Sequence, residues 1–108
     1  MQIEDRYGYN FPTKTIVEYL VVMKNNIYKL LPLREEGGQW QKYLESLLEL
    51  ELKGCEELFT NIDFVSLIAK LTSLRNKNFF LYRKGIFESL KILDDIINQI
   101  KVGEMDAH

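Results

Sequence analysis

Glu45 and Glu49 stand four residues apart, so on a helix they share one face and form the pair of carboxylates closest to a hydrolytic acid and base. Such chemistry needs a cleft that pushes two carboxyl pKa values apart. Lys42 and Lys53 fall on the same stretch, and Glu49 with Lys53 has the favourable order for an ion pair one helical turn long. The cluster therefore reads as a solvated, salt-laced helix face. Asp94 and Asp95 are adjacent and point in different directions.

Other catalytic schemes lack their residues. The only histidine is His108, the last residue, which removes Ser-His-Asp and Cys-His nucleophiles, histidine general bases and histidine-ligated zinc. Cys55 is the only cysteine, which excludes an internal disulfide and a multi-thiolate metal site. With Glu56 and Glu57 beside it the thiolate is disfavoured, and the residue reads as a small buried side chain. Gly37-Gly38 has neither the lysine nor the further glycines of a phosphate-binding loop. The expectation is a chain that is not an enzyme and holds no metal or cofactor.

Three features point instead to binding. The first is charge: between residues 35 and 63 eight acids face Lys42 and Lys53, a net of −6, and between residues 64 and 91 six bases face Glu88 alone, a net of +5. Glu35, Glu36, Glu45, Glu49, Glu56 and Glu57 form an acidic block that would attract a partner with a basic surface, such as a nuclease; the alternative is compensation by the basic block inside the fold. The second is an aromatic arm, Tyr7-Gly8-Tyr9-Asn10-Phe11-Pro12, which either packs back on the core or presents Tyr7 and Tyr9 to a partner. The third is residues 75–87, where Arg75, Lys77, Arg83 and Lys84 interleave with aromatic rings. The bases could hold phosphates while the rings stack on unpaired nucleobases. In the competing reading Phe79 and Phe87 fill the core.

The elements that must position these residues are helical. Ile16, Leu20, Met23, Ile27 and Leu30 repeat at helical spacing, Thr15 and Glu18 have the capping-box spacing, and Pro32 closes a first helix from Lys14 to Leu31. Trp40, Tyr43, Leu44, Leu47, Leu48 and Leu50 give the apolar face of a second helix that Gly54 ends, followed by an acidic connector. Thr60 or Asn61 caps a third, carrying Phe64, Leu67, Ile68, Leu71 and Leu74, and a polar turn over residues 75–78 follows. The fourth runs from Phe79 to Val102 on a seam of Phe79, Ile86, Leu90, Leu93, Ile97 and Ile100, with Gly103 as its end. Gly85 inside it requires close packing or a bend. Ile92 and Ile96 lie off the seam and offer an apolar margin to a second subunit, making a homo-oligomer an alternative.

The expected fold is all-α, a single-domain antiparallel four-helix bundle, with a three-helix bundle and a displaced helix as runner-up. Residues 1–12 form an irregular arm and 103–108 a frayed tail. At 108 residues, 46% hydrophobic and 28% charged, the chain has the composition of one folded domain. A net charge of −2 makes nucleic-acid binding the lesser expectation. No apolar run is long enough for a membrane span, and residues 1–6 lack a signal-peptide pattern, so the cytoplasm is expected. Ten Lys to four Arg, with ten Ile and seven Asn, suits an AT-rich coding source, bacterial or phage. The functional expectation is a small inhibitor or immunity-type protein that masks a basic partner.

Overall fold

The computed structural model describes residues 2–60 and 62–106. Asn61 and His108, expected to be a cap and part of a frayed tail, lie outside them. The chain begins with a two-stranded antiparallel hairpin, β1 (Gln2–Glu4) and β2 (Asn10–Pro12), and continues into α1 (Thr13–Glu36), α2 (Gln39–Leu58), α3 (Val65–Ser73) and α4 (Phe79–Asp106). The bundle is all-α apart from this small hairpin, and measures 46 × 24 × 19 Å.

Cross-helix contacts establish the antiparallel order. Lys24 meets Asp94 at 2.7 Å and Tyr28 meets Phe87, so α1 and α4 run in opposite directions. Lys70 meets Glu88 at 2.6 Å, and Leu74 lies against Gly85, which does the same for α3 and α4. Each helix packs on the next, and α1 closes the ring against α4. One continuous core results. Ile16, Leu20, Met23, Ile27 and Leu30 of α1 supply it as their spacing requires.

Several helix ends fall elsewhere than expected. α1 continues through Pro32 to Glu36. The turn beyond the proline is held by Arg34, whose guanidinium lies 4.4 Å above the Tyr82 ring and donates to the Lys77 carbonyl, while the Gly37 amide donates to the Arg34 carbonyl. That anchorage offsets the backbone hydrogen bond a proline removes. Thr15 and Glu18 form no capping box, since α1 starts at Thr13 without a side-chain cap and Glu18 sits 3.9 Å from Lys14 instead. α2 runs through Gly54 to Leu58, because Leu48, Leu52, Cys55 and Phe59 extend its buried stripe past the glycine. α4 passes through Gly103 to Asp106.

Two apolar faces also change places with solvent. On α2 the buried residues are Leu48, Leu52 and Cys55, while Trp40, Tyr43 and Leu50 of the expected face are exposed. On α4, Tyr82 replaces Phe79 at the head of the seam: Tyr82 is buried, and Phe79, Phe80 and Phe87 all reach solvent. Ile96 is buried and Ile92 is half-buried against the core, so the margin expected for a second subunit is used within the bundle. At Gly85 the outcome is close packing, with Leu74 occupying the space a Cβ would need.

The amino-terminal arm is ordered by one carboxylate. Asp5 Oδ1 accepts from the Tyr7 and Tyr9 amides at 2.9 and 2.8 Å, and Gly8 supplies the positive φ of 85° that the turn requires. The Arg6 amide donates to the Leu58 carbonyl at 2.7 Å, tying the turn to the end of α2. Ile3 and Phe11 pair across the strands and rest on the core, with Phe11 edge-on to Phe59 at 5.5 Å. Strands of three residues are too short to show an alternation in sequence.

Candidate functional site

The middle of the acidic block is engaged inside the fold. Glu45 Oε1 accepts from the Tyr82 hydroxyl at 2.8 Å and from Gln41 Nε2 at 2.7 Å. Glu49 holds Arg75 Nη2 with both oxygens at 2.7 Å. Glu51 Oε2 accepts from the Tyr19 hydroxyl at 2.7 Å. Glu45 and Glu49 thus share a face but serve as tethers between helices. Burial pushes the Tyr82 and Tyr19 hydroxyls well above the usual tyrosine range, with the adjoining carboxylates acting in the same direction.

Glu35, Glu36 and Glu57 remain exposed and Glu56 half-buried. All four occupy the last turn of a helix, Glu35 and Glu36 in α1 and Glu56 and Glu57 in α2, and the last turn of α2 contains no base. The helix dipole presents partial negative charge at that end, so local stability disfavours acids there.

Between the two acid pairs lies the outer face of α2. Trp40, Tyr43, Leu47 and Leu50 recur at spacings of three, four and three, which places them on one side of the helix. Trp40 and Leu50 are 72% and 68% exposed, and the Trp40 and Tyr43 rings meet edge-on at 5.9 Å. α2 is therefore apolar on two faces, of which the bundle buries one. The spacing of these residues is legible in the sequence, but spacing alone predicts a core face where the fold leaves a solvent-facing one.

The basic block divides similarly. Lys70 pairs with Glu88, whose carboxyl is held below its usual range by that ammonium, and Arg75 pairs with Glu49. Lys77 and Lys84 are exposed. The Arg83 guanidinium lies 5.5 Å from the centre of the Phe87 ring, which itself meets Tyr28 at 6.4 Å, and Phe80 nearby in the sequence is 75% exposed. In the arm Phe11 packs back, whereas Tyr7 and Tyr9 stand in solvent at the hairpin tip.

Two recesses open beside α2. A polar groove of about 570 Å³ is lined by Arg34, Gln41, Lys42, Glu45 and Arg75 among others. A second, of about 420 Å³, lies between β2, α1 and the end of α2 and is walled by Phe11, Ile16, Leu20, Leu58, Phe59 and Phe64, with Tyr19, Glu51, Gly54 and Cys55 also on its lining. Burial pushes the Cys55 thiol up to about 11, which keeps it neutral and a poor nucleophile near pH 7. Nothing in the sequence signals this recess, because glycine at position 54 predicts a helix end where α2 continues to Leu58.

Among the described residues no group of three His, Cys, Asp or Glu side chains converges as metal ligands would, and no helix is long and apolar enough to cross a membrane. No protein-family model, curated protein or solved structure matches the chain.

Proposed function

We propose that this chain is a small non-catalytic module that binds another protein, of the inhibitor or immunity type, and covers a basic surface of it with the outer face of α2. The observation that carries the reading is the apolar ridge of α2, where Trp40, Tyr43 and Leu50 stand in solvent with half-buried Leu47 among them, preceded by exposed Glu35 and Glu36 and followed two turns on, along the same face, by exposed Glu57. Aromatic and leucine side chains supply desolvation energy at the centre of an interface, and charges at its rim guide encounter and orientation. The acids Glu35, Glu36, Glu56 and Glu57 sit where their own helices disfavour them, and a partner's Lys or Arg side chains would relieve that repulsion. Glu45 and Glu49 support the surface from behind through Tyr82 and Arg75. Tyr7 and Tyr9 provide a further exposed aromatic edge beyond the end of α2. The neutral, buried Cys55 thiol and the paired carboxylates favour a role without catalysis.

A photoactivatable side chain at position 43, with position 29 as the exposed control, tests this in extract of the host. The expected result is a cross-linked protein of basic surface from position 43 only. Its purified form should bind with affinity reduced at least about tenfold, a loss of roughly 1.4 kcal/mol, when Glu35, Glu36, Glu56 and Glu57 are changed to Lys. Unchanged affinity in a folded variant overturns the reading.

One observation favours a second reading, a nucleic-acid-associated regulator. Phe80, Phe87 and Tyr28 expose their rings, and Arg83 and Lys84 lie on the same stretch of α4, with Arg75 and Lys77 in the preceding turn. Stacking with phosphate contacts predicts binding to single-stranded DNA or RNA that falls steeply with salt and is lost in Phe80→Ala with Phe87→Ala. Constant fluorescence anisotropy of labelled strands at micromolar protein and low salt removes this option.

A further inference from the structure

Glycine in the interior of a helix costs about 0.5–1 kcal/mol relative to alanine, so each one calls for a reason in the packing. At Gly85 the reason is visible, since Leu74 fills the place of a Cβ. At Gly54 no such contact exists among the described residues: the residue is helical and a Cβ there would meet none of their atoms within 4 Å. Gly54 lies on the lining of the apolar recess, so the side chain is missing where the recess opens. The volume of about 420 Å³ suits a small organic ligand, whose sites are concave, mostly apolar and carry few polar groups.

We propose that this recess is a binding site for a compact apolar amine, whose body lies over Gly54 among Phe11, Leu20 and Phe59 and whose ammonium meets Glu51. Glu51 is the one charged residue on the lining. Its Oε2 is oriented by the Tyr19 hydroxyl at 2.7 Å, while Oε1 has no hydrogen bond among the described residues. A cation offered to that oxygen completes its coordination, and an anionic amphiphile is repelled by it. Cys55 contributes a neutral, polarisable sulfur to the floor. Gly54 lies one turn beyond Leu50 on the same side of α2, so the recess adjoins the ridge, but amine binding is a property of the isolated chain and its loss would leave the protein-binding reading standing.

The test is a titration of the full chain with 2-phenylethylamine, 2-phenylethanol and phenylacetate, followed by amide chemical shifts. The amine is expected to give saturable shifts at Thr15, Tyr19, Gly54 and Phe59 and to bind roughly tenfold more tightly than phenylacetate. Glu51→Gln should erase that preference. Gly54→Leu should fill the recess and abolish binding while the melting temperature holds or rises, and Gly54→Ala, adding one methyl, should weaken binding in a protein more stable than wild type. No saturation with the amine up to about 10 mM, the weakest affinity expected of a ligand of about nine heavy atoms, overturns the site. Equal binding of amine and carboxylate overturns the ligand class, and undiminished binding by folded Gly54→Leu overturns the location.

Discussion

The Tyr82 hydroxyl donates to Glu45 Oε1 at 2.8 Å, joining the head of α4 to α2 and the positive stretch of the chain to the negative one. The Tyr82 ring is buried beneath the Arg34 guanidinium, so a single residue ties α1, α2 and α4 at one end of the bundle. Tyr82→Phe keeps the ring and removes the donor to a carboxylate, which should cost about 1–3 kcal/mol. Glu45→Gln retains an acceptor and should cost less. A double-mutant cycle by urea denaturation should show the two losses to be non-additive.

Gly85 and Gly54, both inside helices, should respond to alanine with opposite signs. Gly85→Ala drives a methyl into buried Leu74, and the overpacking should cost about 1–3 kcal/mol in spite of the better helix propensity. Gly54→Ala meets no neighbour and should add about 0.5–1 kcal/mol. Thermal melts of the two variants check both.

The two apolar faces of α2 should separate cleanly in stability measurements. Leu52 is fully buried, and Leu52→Ala should cost about 2–5 kcal/mol. Trp40→Ala and Leu50→Ala should stay within about 0.5 kcal/mol of wild type, since both side chains are mostly in water. A large loss at Leu50 would place the ridge in contact with the protein's own core.

Alkaline pH should unfold the protein through groups whose protons are held in the native state. Cys55 has its pKa raised by burial from an ordinary 9.0 to about 11, so the stability linked to it is present in full below pH 9 and is lost as pH rises towards 11. Tyr19 and Tyr82, also raised by burial, extend the loss to higher pH. Cys55→Ala should flatten the pH dependence of the melting temperature between pH 9 and 11.

At the acid end the Lys70–Glu88 pair acts with the opposite sign. Lys70 holds the Glu88 carboxyl below its ordinary value, so the contribution is present above the usual glutamate pKa and disappears as pH falls below it. The difference in melting temperature between wild type and Lys70→Met should close on going from pH 7 to pH 3. Because the pair is partly exposed, added salt should reduce the difference at pH 7 as well.

The four helices and their order were legible because local spacing alone puts Ile16, Leu20, Met23, Ile27 and Leu30, or Ile86, Leu90, Leu93 and Ile97, on one side of a cylinder. Helix ends were less legible. Pro32, Gly54 and Gly103 each act as stops in an isolated segment, yet the helices run through all three, with Arg34 anchoring the turn beyond Pro32 and buried Cys55 and Phe59 following Gly54. The chemistry-bearing residues were recognised as types but not as pairs. That Arg75 would engage Glu49, or that Tyr82 would engage Glu45, depends on contacts between residues 26 and 37 positions apart.

By itself the sequence determined an all-α chain, because helical periodicity is a property of neighbours three and four residues apart. It also determined that residues 1–107 contain no histidine. Only the tertiary structure decided which acids are spent and which are free, which face of α2 is core, and how far α2 runs beyond Gly54. α2 is apolar on two sides, and periodicity cannot choose between them. The choice falls to α1 and α3, which pack on α2, take Leu48, Leu52 and Cys55 out of water into the shared core and leave Trp40, Tyr43 and Leu50 at the surface.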